Sequence, residues 1–418
     1  MLESSRLKTT IEILAEAKKK PADKIISDYF RANRYIGSKD KKAILNIFYR
    51  ILRNWYKYSW HLECQELDNS EFNLILIDTA MNGSMDLFDG SKYGLPKLNT
   101  KQKEIFKALS EKKLISKDMP LQVRLECSDD YWEIYKNSFD NEEEIKNELE
   151  KMFEEAPFDI RINPLKVSNR ENIIKKLPNA TTTDFSPVGI RLNSRINLAE
   201  LPIFKNGEIE VQDEGSQLIS LIVDAKPGDS IVDFCAGAGG KSLLMAGTMK
   251  NKGRIVACDI FEGKLKRAKQ RFKRANVQNT STKLIDNNFD SWAKRNYGKI
   301  DKVLVDAPCS GSGTWRRNPD MKIKPIDIKS ITETQLYILK RASKLVKKGG
   351  YLYYATCSMF KDENENIVKE FLSENTDFQL SKIETNFLNM DNEGYLNLSP
   401  YKTNTDGFFI AKLCKKVV

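Results

Sequence analysis

Histidine is almost missing from this chain: His61 is the only one in 418 residues. A mechanism built on a histidine base, or a zinc site built on His and Cys, is therefore disfavoured. Seven cysteines with no repeated spacing and no C-x-x-C pair make neither a disulfide scaffold nor a metal knuckle. No apolar run approaches the ~20 residues that a membrane-spanning helix needs. The opening Met1-Leu2-Glu3-Ser4-Ser5-Arg6-Leu7-Lys8 lacks the apolar stretch of a signal peptide. Internal repeats and low-complexity segments are absent as well. These absences lead to the expectation of a soluble, cytoplasmic, metal-free protein, monomeric and without a membrane partner. Its chemistry is left to Cys, Asp, Glu, Lys or Tyr.

What is present is a globular composition, 40% hydrophobic and 30% charged. At roughly 100–200 residues per domain the chain holds two or three domains. Sixty-eight Lys and Arg against 58 Asp and Glu leave a net charge of +10, which favours an anionic partner such as nucleic acid.

Three regions follow from patterning. Residues 1–130 read as all-helical. In the stretch from Lys41 to Tyr58, Ile44, Ile47, Phe48, Ile51, Leu52 and Trp55 form one apolar helix face. Residues 1–65 carry 14 Lys and Arg against 7 acids, with Arg31, Arg34, Lys39, Lys41, Lys42, Arg50 and Arg53 clustered; they read either as an RNA contact or as a solvated basic face. Residues 131–207 begin with an acidic helical spacer, 10 acids against 3 bases over 131–160. They continue as a small α+β connector with strands at Phe158–Ile162 and Val188–Leu192 around a helix near Asn169–Leu177. Residues 208–418 alternate strand, loop and helix. Strands are expected at Ser230–Phe234, Arg254–Cys258, Lys302–Val305 and Tyr351–Tyr354. Helices are expected at Lys241–Met249, Phe261–Ala275 and Ile331–Lys347. Such alternation predicts a doubly wound α/β sheet with its ligands at the carboxyl ends of the strands.

The chemistry-bearing residues sit at those ends. Cys235-Ala236-Gly237-Ala238-Gly239-Gly240-Lys241 joins a strand to a helix start. Such a Gly-rich loop lets backbone N–H groups approach a ligand beside a helix N-terminus. A phosphate loop requires glycine where Cys235 stands, and a dinucleotide fingerprint requires it where Ser242 stands. The shorter glycine loop of S-adenosylmethionine enzymes remains as a third reading. Asp259 ends the next strand 22 residues after Gly237, placed for ribose hydroxyls. Asp286 ends a third, facing an adenine edge, and Asp306 a fourth. One such acid is usually a turn or a cap, but three at successive strand ends suit an adenosyl ligand. Cys309 and Cys357 each follow an apolar strand at the same face, where a thiolate serves as nucleophile. Cys64, Cys127, Cys258 and Cys414 read as small hydrophobes.

Asp306-Ala-Pro-Cys309-Ser-Gly followed by Arg316-Arg317-Asn-Pro-Asp320, and then Ala355-Thr-Cys357-Ser, resembles the RNA (cytosine-5-)-methyltransferase family, the RsmB/Nop/Sun family. The loop from Cys235 is similar to that family's cofactor loop, usually Cys-Ala-Ala-Pro-Gly-Gly-Lys, with Gly237 and Ala238 as departures. The closing Asp406-Gly-Phe-Phe-Ile matches its last strand, so the motifs cover about residues 205–415. Gly37-Ser-Lys-Asp40 is similar to a NusB-like RNA-binding domain of the bacterial ribosomal-RNA branch. Ala156-Pro-Phe-Asp-Ile-Arg161-Ile-Asn163 resembles that branch's linker domain.

The resemblance implies a Rossmann-like class I methyltransferase domain that uses S-adenosyl-L-methionine to methylate carbon 5 of a cytosine in small-subunit ribosomal RNA. By the family pattern Cys357 is the nucleophile, Cys309 removes the carbon-5 proton and releases the enzyme, and Asp306 contacts the ring at N3. Lys241 is expected at the reacting site, and Cys235 through Lys241, Asp259, Asp286 and Asp306 around the cofactor. Arg316 and Arg317 are expected to face RNA. The seven cations of Lys264, Lys266, Arg267, Lys269, Arg271, Lys273 and Arg274 read either as RNA contact or as a solvated face. The same chemistry on transfer RNA is the alternative substrate. A non-catalytic RNA-binding assembly factor is the alternative class, disfavoured by the two intact cysteines, and an NTPase is disfavoured by Cys235.

Overall fold

A computed structural model describes residues 1–194, 196–388 and 393–417. The chain divides into two compact units, one of residues 1–154 with 315–326, the other of residues 155–314 with 327–418. This differs from the expected three-way division at 130/131 and 207/208. The acidic helices go with the helical unit, the small connector goes with the large sheet, and a short segment just past Cys309 belongs to the helical unit.

The helical unit is built on amphipathic helices. The expected helix from Lys41 to Tyr58 is two, Ser38–Arg53 and Trp55–Glu63, parted at Asn54. Ile44, Phe48, Ile51 and Leu52 of the first point into a core shared with Leu62 and with Leu74–Ile77. Arg50, expected in the cationic cluster, forks onto buried Asp78 at 2.7 and 2.6 Å, and Tyr58 donates to the same carboxylate at 2.9 Å. The acidic spacer is also two helices, Asp129–Ser138 and Glu142–Lys151. Their apolar faces, with Tyr131, Trp132, Tyr135, Ile145 and Leu149, are buried, which is why they fold with this unit. Glu142, Glu143 and Glu144 sit in a first turn, where the helix dipole favours negative charge.

Segment 315–326 is anchored here. Trp315 packs edge-on against Tyr131 and Tyr135, with ring centroids 5.0 and 5.6 Å apart. Lys322 donates to Glu126 at 2.6 Å and to the Arg53 carbonyl at 2.9 Å, and both side chains are almost fully buried. Burial works against the Lys322 ammonium and lowers its pKa even with Glu126 beside it. Glu126 also accepts the backbone N–H groups of Tyr56 and Lys57.

The second unit contains two sheets. Strands β1 (Phe158–Ile162), β2 (Ala180–Thr182), β3 (Gly189–Leu192) and β4 (Ile209–Val211) form a small antiparallel sheet in the order β2-β3-β1-β4. Its last strand lies beyond the expected 207/208 boundary, because β4 pairs with β1. The large sheet uses β5 (Ser230–Asp233), β6 (Arg254–Asp259), β7 (Thr280–Leu284), β8 (Ile300–Asp306), β9 (Val346–Thr356), β10 (Phe378–Leu380), β11 (Tyr395–Leu398) and β12 (Phe408–Lys415). Its order is β10-β12-β9-β8-β5-β6-β7, with β11 paired to β12. Strands β5 to β9 are parallel and β12 runs antiparallel to β9, so the sheet is mixed rather than wholly parallel.

Alternation along the strands serves both faces. Val303 and Val305 of β8 join one core with Phe289, Leu339 and Phe371, while Leu304 joins the other with Ile219, Ile222 and Met245. Burial on both sides makes these strands read as continuous apolar runs. The sheet order reverses between β5 and β8, which puts the switch point, and hence the ligand crevice, at the carboxyl ends of those strands. Among the described residues no helix is long and apolar enough to cross a membrane.

Replacing Lys322 with Ala removes the cation hydrogen-bonded to Glu126 and leaves only the Lys57 ammonium, 3.9 Å away. Losing one partner of such a pair costs about 3–5 kcal/mol. Denaturant unfolding followed by tryptophan fluorescence should show the Trp315-containing unit melting earlier in Lys322→Ala by that amount.

Candidate active site

Strand β5 ends at Asp233, and the chain turns through residues 234–239 into the helix Gly240–Thr248. Gly239 has φ +78°, and a Cβ there would lie 2.7 Å from the Phe272 ring, so only glycine lets the loop rest on the helix Glu262–Ala275. Gly237 has φ +55° and open space where a Cβ would project. The loop's polar groups are tied down from four sides. Gly237 N–H donates to Asp259 Oδ2 at 2.9 Å, and Phe261 N–H donates to Asp259 Oδ1 at 2.8 Å. Arg271 donates to the Ala238 carbonyl at 3.0 Å, and Arg161 of β1 donates to the Gly240 carbonyl at 3.2 Å. Ser242 Oγ donates to Asp233 Oδ2 at 2.6 Å, while Asp233 Oδ1 is buried without a partner. Burial pushes the Asp233 carboxyl up to about 7 against the pull of that Ser242 bond.

These residues fit an adenosyl cofactor without a phosphate cradle. Cys235 to Ala238 and Gly240 are half-buried and form an open floor, and Asp259 stands at the end of β6 beside it. Asp286, just past β7, is exposed and accepts from Asn288 N–H at 3.0 Å. Sequence reasoning missed Ile260 and Phe261, which stay 62% and 54% exposed directly after Asp259. Two apolar side chains left in solvent at a strand end suit a flat ring; the signal was their place behind the acid. Asp233 was passed over too, because a strand-terminal acid next to three others does not announce its burial.

Two of the seven cations expected to face solvent or RNA are otherwise engaged. Arg271 and Arg274 both pair with Glu210 of β4, a side chain that is itself buried. Lys266, Arg267, Lys269 and Lys273 remain exposed.

Asp306 ends β8 and accepts Lys241 Nζ at 2.6 Å, and Lys241 also lies 5.4 Å from the Phe408 ring centre. Burial disfavours the Lys241 ammonium, but the Asp306 charge and hydrogen bond outweigh it and its pKa is raised. Beyond the next strand ends, Cys309 Sγ and Cys357 Sγ lie 3.3 Å apart as free thiols. That distance is a hydrogen bond between sulfurs and much longer than the ~2.05 Å of a disulfide. The hydrogen bond to Cys357, and then burial, raise the Cys309 pKa well above the ordinary thiol value. Ionisation of Cys309 is therefore disfavoured in this arrangement. Burial, followed by the charges of Asp306, Asp233 and Asp259, likewise holds Cys235 protonated.

Lys241, Asp306, Cys309, Cys357 and the loop from Cys235 thus converge at one end of the sheet. Arg316 and Arg317 do not share that unit: they lie in segment 315–326 of the helical one. Arg316 is only 1% exposed and Arg317 half-buried, so Arg316 does not offer its guanidinium to RNA in this structure as the sequence reading expects. Among the described residues no cluster of three or more His, Cys, Asp or Glu forms a metal site.

Residues 220–414 match the family described as 16S rRNA methyltransferase RsmB/F. The chain is 38% identical over 226 residues to a probable ribosomal RNA small subunit methyltransferase B of Bacillus subtilis (strain 168), covering 52% of this chain and 50% of that one. The chain thus spans half the length of that relative, and 62% of the length of a ribosomal RNA small subunit methyltransferase B of Shewanella oneidensis to which it is 31% identical. The crystal structure of PH0851 superposes with a TM-score of 0.79 at 25% identity, covering 99% of both chains. That of a methyltransferase homolog protein from Pyrococcus horikoshii superposes at 0.60 with 28% identity, over 70% of this chain and 97% of that one.

Thiol labelling tests the site's electrostatics. With iodoacetamide at neutral pH, mass spectrometry should find Cys64, which is exposed, alkylated first. Cys127, Cys235, Cys258 and Cys309, whose pKa values are all raised by burial or by a partner, should resist until the protein is unfolded.

Proposed function

We propose that the chain transfers a methyl group from S-adenosylmethionine to carbon 5 of a cytosine in small-subunit ribosomal RNA, a reading supported by the match of residues 220–414 to the RsmB/F family of 16S rRNA methyltransferases. The observation that carries this reading is the Cys309–Cys357 sulfur pair, 3.3 Å apart, at the same sheet end as the Lys241–Asp306 pair and the glycine loop. The ribosomal target follows the names of the relatives.

Bound S-adenosylmethionine supplies the methyl group as an electrophilic sulfonium. The protein's task is to make carbon 5 of cytosine nucleophilic, and it does so covalently. The Cys357 thiolate adds to carbon 6, and the electron pair of the 5,6 double bond moves to carbon 5. Asp306 meets the ring at N3, and the Lys241 ammonium at 2.6 Å is the proton source for the charge that develops there. Once Cys357 is bonded to the base, its hydrogen bond to Cys309 and its negative charge are gone. Both hold the Cys309 pKa up, so Cys309 then loses its proton to solvent more readily and becomes a base. With the freed pair now bonding carbon 5 to the methyl group, Cys309 takes the carbon-5 proton, the electrons of that C–H bond restore the 5,6 double bond, the proton lent to N3 returns to Lys241, and Cys357 leaves carbon 6 as thiolate. The order of events gives each cysteine one role because one sulfur controls the acidity of the other.

A cytosine inside a duplex cannot reach this pocket, so the target is unpaired or flipped out. The exposed cations Lys266, Arg267, Lys269 and Lys273 add a backbone-binding face on the same unit.

The test is transfer of labelled methyl to unmodified small-subunit ribosomal RNA, transfer RNA and DNA. Label should appear on ribosomal cytosine and fall to background with Cys357→Ala. Cys309→Ala should accumulate an RNA–protein adduct stable on a denaturing gel, with release slowed about 10²-fold or more. Label on transfer RNA alone would replace the proposed substrate. Tight RNA binding with no label on any substrate would overturn the enzyme reading.

A further inference from the structure

The two cysteines stand on loops from different strands, and their own side chains share only the weak hydrogen bond between their sulfurs. Cys309 lies in the loop after β8 and Cys357 follows β9, 48 positions further along the chain. The residue beside each cysteine is tied to one buried carboxylate. Ser310 N–H donates to Glu363 Oε2 at 2.8 Å, and Ser358 Oγ donates to Glu363 Oε1 at 2.7 Å. Gln335, on the helix Ile328–Ser343, donates to Glu363 Oε2 at 3.0 Å and to the Pro308 carbonyl at 3.0 Å. Tyr354 of β9 donates to the Glu363 carbonyl at 2.7 Å. Glu363 is completely buried. Among the described residues no cation pairs with it, and its two carboxyl oxygens are met by three neutral donors.

We infer that Glu363 is a positioning residue for the methyl transfer, bracketing the loops of Cys309 and Cys357 so that their sulfurs stay in contact. This role rests on the proposed cysteine chemistry, which gives the sulfur spacing its meaning. A buried carboxylate is costly unless its lone pairs are satisfied, and these donors are drawn from the three elements that surround the pair. Each donor keeps its bond only at one loop spacing, so the carboxylate converts hydrogen-bond geometry into a fixed distance. Glu363 also contributes, after Cys357 and burial, to the raised pKa of Cys309.

Reach and charge are separable by substitution. Glu363→Gln keeps the length: its oxygen accepts from Ser310 and Gln335 while its amide donates to Ser358 Oγ. The Ser358 hydroxyl hydrogen then turns to Ser310 or Ser312, 3.3 and 3.1 Å away. Glu363→Asp keeps the charge but is one methylene too short to hold both loops, and Glu363→Ala holds neither.

Two readouts apply. In methyl-transfer kinetics, Glu363→Gln should stay within about tenfold of wild type in kcat. Glu363→Asp and Glu363→Ala should each lose about 10²-fold, as expected for a misplacement near 1 Å, with KM for RNA and cofactor unchanged. In the second, diamide oxidises the two thiols to a disulfide and is itself reduced to the hydrazine; peptide mapping follows Cys309–Cys357 closure. Closure should be at least about tenfold slower in Glu363→Asp and Glu363→Ala than in wild type or Glu363→Gln. An active Glu363→Asp beside an inactive Glu363→Gln would show that charge rather than reach matters and overturn the proposal. So would closure at the wild-type rate in every variant. If Glu363→Ala fails to fold, the Asp and Gln variants decide alone. If wild type transfers no methyl, the proposed function falls, and the closure rates still judge Glu363 independently.

Discussion

Parallel pairing of β8 with β5 on one side and β9 on the other is the constraint on which the site depends. It aligns Asp233 with Leu304, and Asp306 with Ala355, so that three strands end together. The sheet reverses its order there, which opens a crevice that the glycine loop floors and the two cysteine loops flank. Backbone bonds carry the register past the strands: Phe234 N–H donates to Leu304, Ala236 N–H to Cys258, and Ala307 N–H to Ala355, each at 2.8 Å. Side-chain chemistry is added only after this frame has brought distant residues to one end.

Buried polar groups make that frame specific. Arg161 is fully buried, with a pKa pushed down to about 9 by that burial, yet its donors are spent on Gln212, the Ile162 carbonyl and the Gly240 carbonyl. Glu210 holds Arg271, which in turn holds Ala238. The small antiparallel sheet is thus a clamp on the glycine loop as well as a connector. Glu363 does the same for the cysteine loops. Gly313 adds a further tie: its N–H donates to the Cys357 carbonyl at 3.0 Å and its own carbonyl accepts from Gly407 at 2.8 Å. A Cβ on Gly313 would lie 2.3 Å from the Gly407 carbonyl, so that crossing admits no side chain.

The electrostatics divide labour among groups that look alike in the sequence. Asp306 holds a cation and is partly open, whereas Asp233 is sealed beneath the loop and keeps a proton up to about neutral pH. Cys309 is likewise set apart by its partner sulfur and its burial, which raise its pKa and suit it to the later, proton-removing role in the proposed reaction.

Local pattern was sufficient for β5, β6, β8 and β9 of the large sheet, for the helices Gly240–Thr248, Glu262–Ala275 and Ile328–Ser343, and for the glycine loop. Those features depend on residues near each other in the chain, on period-two and period-three-to-four burial and on the few residues that tolerate tight loops. Resemblance added the assignment of roles to Cys357 and Cys309. Everything that needed a partner far along the chain was decided by the assembled fold: the 3.3 Å between the sulfurs, Glu210 capturing Arg271 and Arg274 from a cation run that reads as RNA contact or solvated face, and Lys322 carrying segment 315–326, and Arg316 with it, into the helical unit. A cation's sequence neighbours say that it is charged. Only the surface it is folded against says whether that charge meets solvent, a ligand or a buried acid.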